Sequence, residues 1–370
     1  MVHFLHLADC HLGGWREEKM RNLPTKAFSY VVDYALQVKP DFLVLAGDLF
    51  NTSLPPLDIL KDATVLLKKL KDHGIPVYCI AGSHDYSPTG KTMLDVLEEA
   101  GLCINVMKGK VVGQTLSLSW TKDPKTGVLL TGILGKRGML DKRYYEVLDR
   151  ETLERQEGFK IFLFHTSLSE LKPKELSEMD AMPITLFPKH CSYYAGGHVH
   201  ILGSWQHPDY PFVFYPGPTF PNSFSELEKL GGGGFLEYKD GAVVRHRILL
   251  KPVQAFVLDC THKTPLAINA QLAQIAASAQ VADAIVLLRL TGTLTEGSLQ
   301  DLALEKFSST LLQNGAYVLL RNTAGLLTKP MEEIMSSSLD KDALEARLLQ
   351  DHLVGTVSGF SSQEQLRVAQ

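Results

Sequence analysis

Cysteine is scarce in this chain and indicates neither a disulfide framework nor a zinc knot. The 370 residues include five cysteines, which are scattered and lack paired metal-ligand spacing: Cys10, Cys79, Cys103, Cys191 and Cys260. Domains that depend on disulfides carry paired cysteines in much shorter secreted chains. We therefore expect reduced thiols, no disulfide and a cytoplasmic location.

Long apolar runs and an excess of basic charge are also missing. The first residues, "MVHFLHLADCHLGG", are interrupted by histidine and aspartate and contain no basic stretch, which argues against an export signal or a membrane span. The net charge of −4 provides no general attraction for nucleic acid. Any site for a polyanion must therefore be local.

The chain does contain a regular alternation of short apolar runs and amphipathic segments. The runs "FLHLA", "FLVLAG" and "PVYCIAG" alternate with helical patterns near 24–38, 56–72 and in "KTMLDVLEEAG", which predicts the order βαβαβα. From Asn105 onward strands and turns dominate, which indicates sheets built partly of antiparallel strands. The expected fold class is α/β, with a two-sheet sandwich.

Three regions are expected along a chain of this length. Residues 1–250 contain the sandwich, 251–329 a small α+β domain and 330–370 a helical tail. In the small domain the pattern predicts strands at 255–260, 284–291 and 316–321, and helices at 265–278 and 298–313.

The stretch "AGSHDYS", residues 81–87, places Ser83, His84 and Asp85 directly after an apolar run. Taken alone it is typical of a turn, in which Gly82 supplies a positive φ and a serine or aspartate caps the next helix. A serine-hydrolase triad is a poorer interpretation, because triads assemble from distant segments and adjacent side chains diverge.

Four further places repeat this pattern of an apolar run that ends in histidine or aspartate. They are "HLADCHLGG", "LVLAGDLF", "IFLFHTS" and "YYAGGHVH". In an extended strand, Asp9 and His11 would share one face, as would His198 and His200. Carboxylates and imidazoles without thiolates fit Mn²⁺, Fe²⁺ or Zn²⁺, and the number of ligands predicts two ions. The carboxyl ends of strands are where open α/β sheets bind ligands.

These motifs, in the order D-x-H, G-D, G-[N/S]-H-D, H and G-H-x-H, resemble those of the calcineurin-like metallophosphoesterase superfamily. Within it, "HLADCHLG", "LAGDLFN", "AGSHD", "GGHVH" and "YPGP" resemble the SbcD-type (meiotic-recombination-type) DNA double-strand-break repair nuclease subunits. The motifs span residues 3–217. The small domain and the tail are similar, more loosely, to that family's capping domain and ATPase-binding segment.

The resemblance implies ligands for two divalent ions, with Mn²⁺ the favoured metal. The ligands implied for the first ion are Asp9, His11 and His200. Those for the second are Ser83, His165 and His198, with Asp48 bridging both. His84 would be the catalytic residue that contacts the phosphate and assists the leaving oxygen, and Asp85 would orient its neighbours.

Two positions depart from the family pattern. Ser83 stands where the family usually has asparagine, and a hydroxyl is a shorter neutral ligand than an amide. Asn51 stands where the nuclease branch often has a histidine that contacts substrate, and an amide can donate a hydrogen bond but not a proton.

Other residues near the motifs have weaker signals. Trp15 and Arg16 follow the first motif and are candidates to border a substrate groove. Cys10 is expected in the core, facing away from the metals. The run "GKRGMLDKRYYEVLDR" is typical of a solvated helix, with phosphate contacts as the alternative.

The function expected from this resemblance is a two-metal DNA nuclease, with exonuclease action on duplex ends and endonuclease action on single strands. Its implied partners are DNA, an SbcC-type ATPase that binds the tail, and a second copy in a homodimer; no membrane is implied. Two alternatives remain open: an esterase for small phosphate esters or cyclic nucleotides, and a weakly catalytic scaffold in a repair complex.

Overall fold

The computed structural model describes residues 2–87, 91–172 and 178–328, which separate into two compact units at Val253 and Gln254. The strands of the first unit are β1 (His3–Leu7), β2 (Phe42–Ala46), β3 (Val77–Ile80), β4 (Ile104–Asn105), β5 (Gly109–Val112), β6 (Thr115–Leu118), β7 (Thr121–Lys122), β8 (Leu129–Ile133), β9 (Lys160–His165), β10 (Tyr193–Gly197), β11 (Leu202–His207), β12 (Tyr210–Pro216), β13 (Gly233–Lys239) and β14 (Ala242–Ile248). Its helices are α1 (Glu18–Arg21), α2 (Leu23–Val38), α3 (Leu57–Asp72), α4 (Met93–Glu99), α5 (Lys142–Glu146), α6 (Arg150–Glu154) and α7 (Phe224–Leu230).

The first unit contains the two-sheet sandwich that the sequence predicts, built of two six-stranded sheets, and β5 and β6 form a separate two-stranded sheet. One six-stranded sheet has the order β14-β13-β1-β2-β3-β4 and the other β11-β12-β10-β9-β8-β7. Strands β1 to β4 run parallel, as do β8, β9, β10 and β12, while β7, β11, β13 and β14 pair antiparallel with their neighbours. The α/β sandwich is confirmed.

The sheets pack face to face over one hydrophobic core. Phe4, Phe42 and Tyr78 from the first sheet meet Leu163 and Tyr193 from the second, and all are almost fully buried. Helices α2 and α3 pack together, and Tyr34 of α2 contacts β13 through the ring of Phe235. This arrangement brings the carboxyl ends of the parallel strands of both sheets to one region, where the predicted site residues lie.

The second unit is a small α+β fold with its own core. It contains β15 (Val253–Asp259), α8 (Pro265–Ser278), β16 (Ile285–Leu294), α9 (Leu304–Gln313) and β17 (Val318–Thr328), with sheet order β15-β16-β17. Residues 330–370, predicted as the helical tail, lie outside the described residues. Along the described ranges, no helix is both long and apolar enough to cross a membrane.

Two local predictions need correction. The turn at 81–87 has no positive φ at Gly82, and helix α4 is capped by Thr92, which forms a reciprocal capping box with Asp95, so neither Ser83 nor Asp85 caps it. The helix predicted at 298–313 is divided: Ser298 caps a single 3₁₀ turn at 299–301, the backbone at Leu302 is extended, and α9 begins at Leu304.

Candidate metal centre

The proposed ligands follow five strands that end in the same region. Asp9 and His11 follow β1, Asp48 follows β2, and Ser83 follows β3. His165 is the last residue of β9, and His198 and His200 follow β10. Potential ligand atoms of four of these residues lie within 4.8 Å of one another: Asp9, His11, Asp48 and His200.

The backbone is left-handed at five of the seven positions. The φ angles are 53° at Asp9, 45° at His11, 53° at Asp48, 100° at His198 and 53° at His200. Non-glycine residues adopt such angles at a cost and cluster at functional sites when they do. The period-2 argument for Asp9/His11 and for His198/His200 is therefore wrong in its geometry, because the chain has left the strand and turned before each pair.

The backbone of the neighbouring loops lies very close to Asp48 and His165. A Cβ atom at Gly82 would overlap the Asp48 side chain, and one at Gly47, where φ is +87°, would overlap the His165 imidazole. Glycine is the residue that permits both contacts. The Asp9 N–H donates to the Gly47 carbonyl over 3.1 Å and the His11 N–H to the Asp48 carbonyl over 3.0 Å, so the loops after β1 and β2 run side by side.

Asp48 contacts both groups of predicted ligands. Its Oδ2 lies 3.1 Å from His165 Nε2 and 3.6 Å from His11 Nε2. Burial acts to raise the pKa of this carboxyl, but the charge of His165 and its hydrogen bond hold the pKa well below its usual range. The position suits a bridging ligand, and that role remains a prediction.

A backbone carbonyl orients the imidazole of His165. Its Nδ1 donates to the Ala46 carbonyl over 2.8 Å, which directs Nε2 at Asp48. Burial acts to lower the pKa of His165, and the Asp48 carboxylate outweighs it and raises the pKa to about 10. A lone pair and a carboxylate oxygen at this separation require a proton or a cation between them.

His200 is oriented in the same way by a carboxylate that the sequence reasoning missed. Its Nδ1 lies 3.0 Å from Glu226 Oε1, which leaves Nε2 near Asp9 Oδ1 at 3.6 Å. Burial acts to lower the pKa of His200, but Asp9 and Glu226 raise it to about 9. Glu226 also accepts from the Ser223 hydroxyl and the Asn222 N–H.

The donor set fits metal binding. His11 Nε2 and His200 Nε2 approach to 2.8 Å, although only one of a neutral pair could donate to the other. Burial is the main cause that lowers the pKa values of His11 and His198 to about 3, so both imidazoles are neutral and have lone pairs available. Two neutral imidazoles, two further imidazoles held by a carbonyl or a carboxylate, and two buried carboxylates together form a donor set that is typical of a divalent metal site.

His84 lies beside this group. Its ring is perpendicular to that of His11 at a centroid distance of 4.7 Å, and its backbone N–H donates to Asp48 Oδ1 over 2.7 Å. Its Nδ1 donates to the Asn51 carbonyl over 2.8 Å, so Nε2 is the nitrogen left for substrate. Ser83 is buried next to it.

Asp85 holds the loops after β2 and β3 together. Its carboxylate accepts the N–H groups of Gly82, Leu49 and Phe50 over 3.0 to 3.2 Å. Burial and the negative charge of Asp48 raise its pKa to about 7 despite these donors. The carboxylate thus touches the backbone of its neighbours, the geometry that an orienting role requires.

The remaining candidates lie at the margin of the site. The Trp15 indole donates to the Pro221 carbonyl over 2.9 Å and Arg16 is exposed. Asn51 Oδ1 accepts from Asn222 Nδ2 over 3.0 Å. Cys10 is fully buried, and burial raises the pKa of its thiol above the usual range.

Glu226 and Asn222 are the residues that sequence reasoning missed. The pattern Ser223-x-x-Glu226 is a capping-box signature that marks the start of α7. It gives no indication that the same carboxylate would reach a histidine 26 residues earlier.

Residues 2–202 match the family model of the calcineurin-like phosphoesterases. The match covers more than half of the chain, and the chain therefore belongs to this family.

Among curated proteins, this chain is similar to DNA repair proteins from archaea. The chain is similar to the DNA double-strand break repair protein Mre11 of Methanococcus maripaludis, with 30% identity over 244 residues, 63% of this chain and 62% of the relative. It is also similar to the protein of that name from Archaeoglobus fulgidus, with 28% identity over 66% of this chain and 55% of the relative. A third relative of that name, from Aeropyrum pernix, has 30% identity over 67% of this chain and 61% of the relative. The chain thus spans less than two thirds of the length of these relatives.

Glu226→Ala tests the orientation of His200. Loss of the carboxylate frees Nδ1, and we expect Mn²⁺ affinity to fall about 10- to 100-fold, the usual effect of losing such a partner. Isothermal titration calorimetry measures the Mn²⁺ affinity of both proteins. Glu237→Ala is the matched control, because Glu237 accepts from His3 and His246 elsewhere in the same unit. Equal affinities in the wild type and the Glu226 variant would contradict the role.

Ser83→Asn tests the weaker predicted ligand. Ser83 lines a pocket of about 370 Å³ with room for a longer side chain, and an amide carbonyl reaches further than a hydroxyl. We expect tighter binding of the weaker Mn²⁺ ion in a titration. Ser53→Asn, in the same pocket, should leave both affinities unchanged. Weaker binding in Ser83→Asn would mean that the serine is already the better fit.

Proposed function

We propose that this protein is a two-metal phosphodiester hydrolase that acts on DNA in double-strand-break repair. The observation that carries the proposal is the buried group of carboxylates and imidazoles with His84 beside it. Family membership supports phosphoester chemistry, and the Mre11 relatives support DNA as the substrate. Exonuclease action on duplex ends and endonuclease action on single strands are the expected activities.

The metal assignment is the one that the family resemblance implies, and the close approach of Asp9, His11, Asp48 and His200 supports it. One ion would be held by Asp9, His11 and His200 and the other by Ser83, His165 and His198, with Asp48 shared. When bound, two divalent ions supply Lewis acidity at the phosphate and a nucleophilic water at neutral pH. We propose Mn²⁺, since oxygen and imidazole donors without thiolate suit it.

His84 has the geometry of a general acid. Because Nδ1 donates to the Asn51 carbonyl, a protonated ring would present its Nε2–H to the leaving oxygen. The hydrogen bond from the His84 backbone to Asp48 fixes the distance between this imidazole and the centre. Asp85 keeps the loop in place through its three backbone N–H contacts.

Asn51 bears on the strength of exonuclease action. Its backbone carbonyl orients His84 and its side-chain oxygen accepts from Asn222. The side chain can offer its remaining N–H groups to a phosphate but cannot supply a proton. We therefore expect weaker exonuclease than endonuclease activity.

Wild type and His84→Ala should be compared with Mn²⁺ on labelled DNA and on bis-p-nitrophenyl phosphate. We expect the wild type to cleave both. His84→Ala should keep both ions by elemental analysis while turnover of DNA falls by roughly 10²–10⁴, the scale of a lost acid-base group.

Each alternative has its own outcome in this assay. Cleavage of the small ester without DNA cleavage would identify a small-substrate esterase. Bound metal without turnover on either substrate would identify the scaffold. Loss of an ion from His84→Ala would overturn the role of His84.

Deletion of residues 331–370 tests the proposed partner segment. Every proposed ligand precedes Gly203, so Mn²⁺-dependent cleavage of short single strands should persist. Co-purification with the SbcC-type ATPase and ATP-dependent processing of long duplex ends should be lost. A truncated protein without a thermal unfolding transition would assign the segment to the fold instead.

The other assignments rest on the family resemblance. We propose the sandwich of residues 1–250 as the nuclease domain, 251–329 as a capping domain and 330–370 as the ATPase-binding segment. A homodimer in the cytoplasm is the expected form.

A further inference from the structure

A pocket of about 370 Å³ adjoins His84 on the side of the basic loop after β8. Its lining residues are Thr52, Ser53, Ser83, His84, Tyr86, Lys136, Arg137 and Leu140. The pocket combines the predicted general acid and a predicted metal ligand with two basic side chains and three hydroxyl-bearing ones. No acidic side chain lines it among the described residues.

Lys136 is held between two tyrosines. Its Nζ donates to the Tyr144 hydroxyl over 2.7 Å and lies 4.8 Å and 4.6 Å from the ring centroids of Tyr86 and Tyr144. Its backbone N–H donates to Asp141 Oδ1 over 3.4 Å. Cation–π contact and a hydroxyl acceptor fix the ammonium in place but leave its charge uncompensated.

Lys136 and Arg137 form no ion pair with a carboxylate of the described residues, whereas Lys142, the first residue of the following helix α5, lies 3.9 Å from Glu146. An ammonium has three donors; the Tyr144 hydroxyl takes one and the Tyr86 side chain another, which leaves one free. The group that complements a fixed cation with a free donor is an oxyanion. A phosphate of a nucleic acid backbone is the anion available next to a phosphodiester centre.

We propose that Lys136, held by Tyr86 and Tyr144, binds the phosphate adjacent to the scissile one in a single strand. This assignment rests on the proposed function. It makes Lys136 a positioning residue that places the chain of phosphates relative to His84. Substrates with a second phosphate should therefore be preferred over those with one.

The test compares Lys136→Met with the wild type, in the presence of Mn²⁺, on four substrates: a single-stranded oligonucleotide, thymidylyl-thymidine with a terminal phosphate, thymidylyl-thymidine without one, and bis-p-nitrophenyl phosphate. We expect KM for the oligonucleotide to rise about tenfold, as for a lost hydrogen bond to a charged group. The preference for the phosphorylated dinucleotide should vanish, while kcat/KM on the p-nitrophenyl ester stays at the wild-type value.

Salt dependence provides a second readout that a purely structural role would not change. Loss of one phosphate contact should make the slope of log kcat/KM against log salt concentration shallower by about 0.7 for a single strand. Lys142→Met is the matched control and should keep the wild-type slope. Tyr144→Phe keeps the ring but removes the hydroxyl, and should give an intermediate KM.

The outcomes separate this inference from the proposed function. Equal losses of kcat/KM on the oligonucleotide and on the p-nitrophenyl ester would mean that Lys136 acts at the scissile phosphate or only stabilises the fold. Either result would overturn the proposed subsite. An unchanged KM and salt slope on the oligonucleotide would overturn it too. Failure of the wild type to cleave any DNA would instead refute the proposed function.

Discussion

The buried carboxylate of Asp48 is the constraint on which the site depends. It is 1% exposed, and a buried charge is costly unless it is paired and hydrogen-bonded. The partners come from separate segments: His11 after β1, the His84 backbone after β3 and His165 at the end of β9. One carboxylate therefore fixes the relative positions of three loops and links the two sheets. Asp9 adds a second buried carboxylate nearby, and a divalent cation is a counter-charge that both carboxylates could share.

The strained backbone around the site follows from this convergence. A parallel strand directs its chain away from the sheet, and left-handed residues after β1, β2 and β10 turn the side chains back toward the centre. Such conformations persist only where surrounding contacts fix them. Here the loops after β1 and β2 hydrogen-bond to each other through Asp9 and His11, and the His198 N–H donates to Asp9 Oδ1 over 2.9 Å.

Sequence reasoning predicted that Asp9, His11, Asp48 and His200 lie together, as they do, but not how they are held. The carboxyl ends of parallel strands share an edge, so a site that includes Asp9, Asp48 and Ser83 could be expected there. The spacing rule used for His198 and His200 assumed extended backbone, and the structure has φ of 100° and 53° there. Glu226 and Asn222 could not be found, because their contacts join segments 26 and 171 residues apart. Such contacts depend on how the segment around α7 packs against the loops, which local patterns do not encode.

The segment 82–86 connects the proposed chemistry to the proposed recognition. The close approach of Gly82 to Asp48 and the bond from the His84 backbone to its carboxylate tie the segment to the centre. Asp85 anchors it to the loop after β2, the Tyr86 N–H closes the turn on the Gly82 carbonyl over 3.1 Å, and the Tyr86 ring contacts Lys136. A phosphate bound at Lys136 would therefore be positioned through the same few residues that position His84. Binding energy from a phosphate that does not react can then align the one that does, and such energy raises turnover rather than affinity alone.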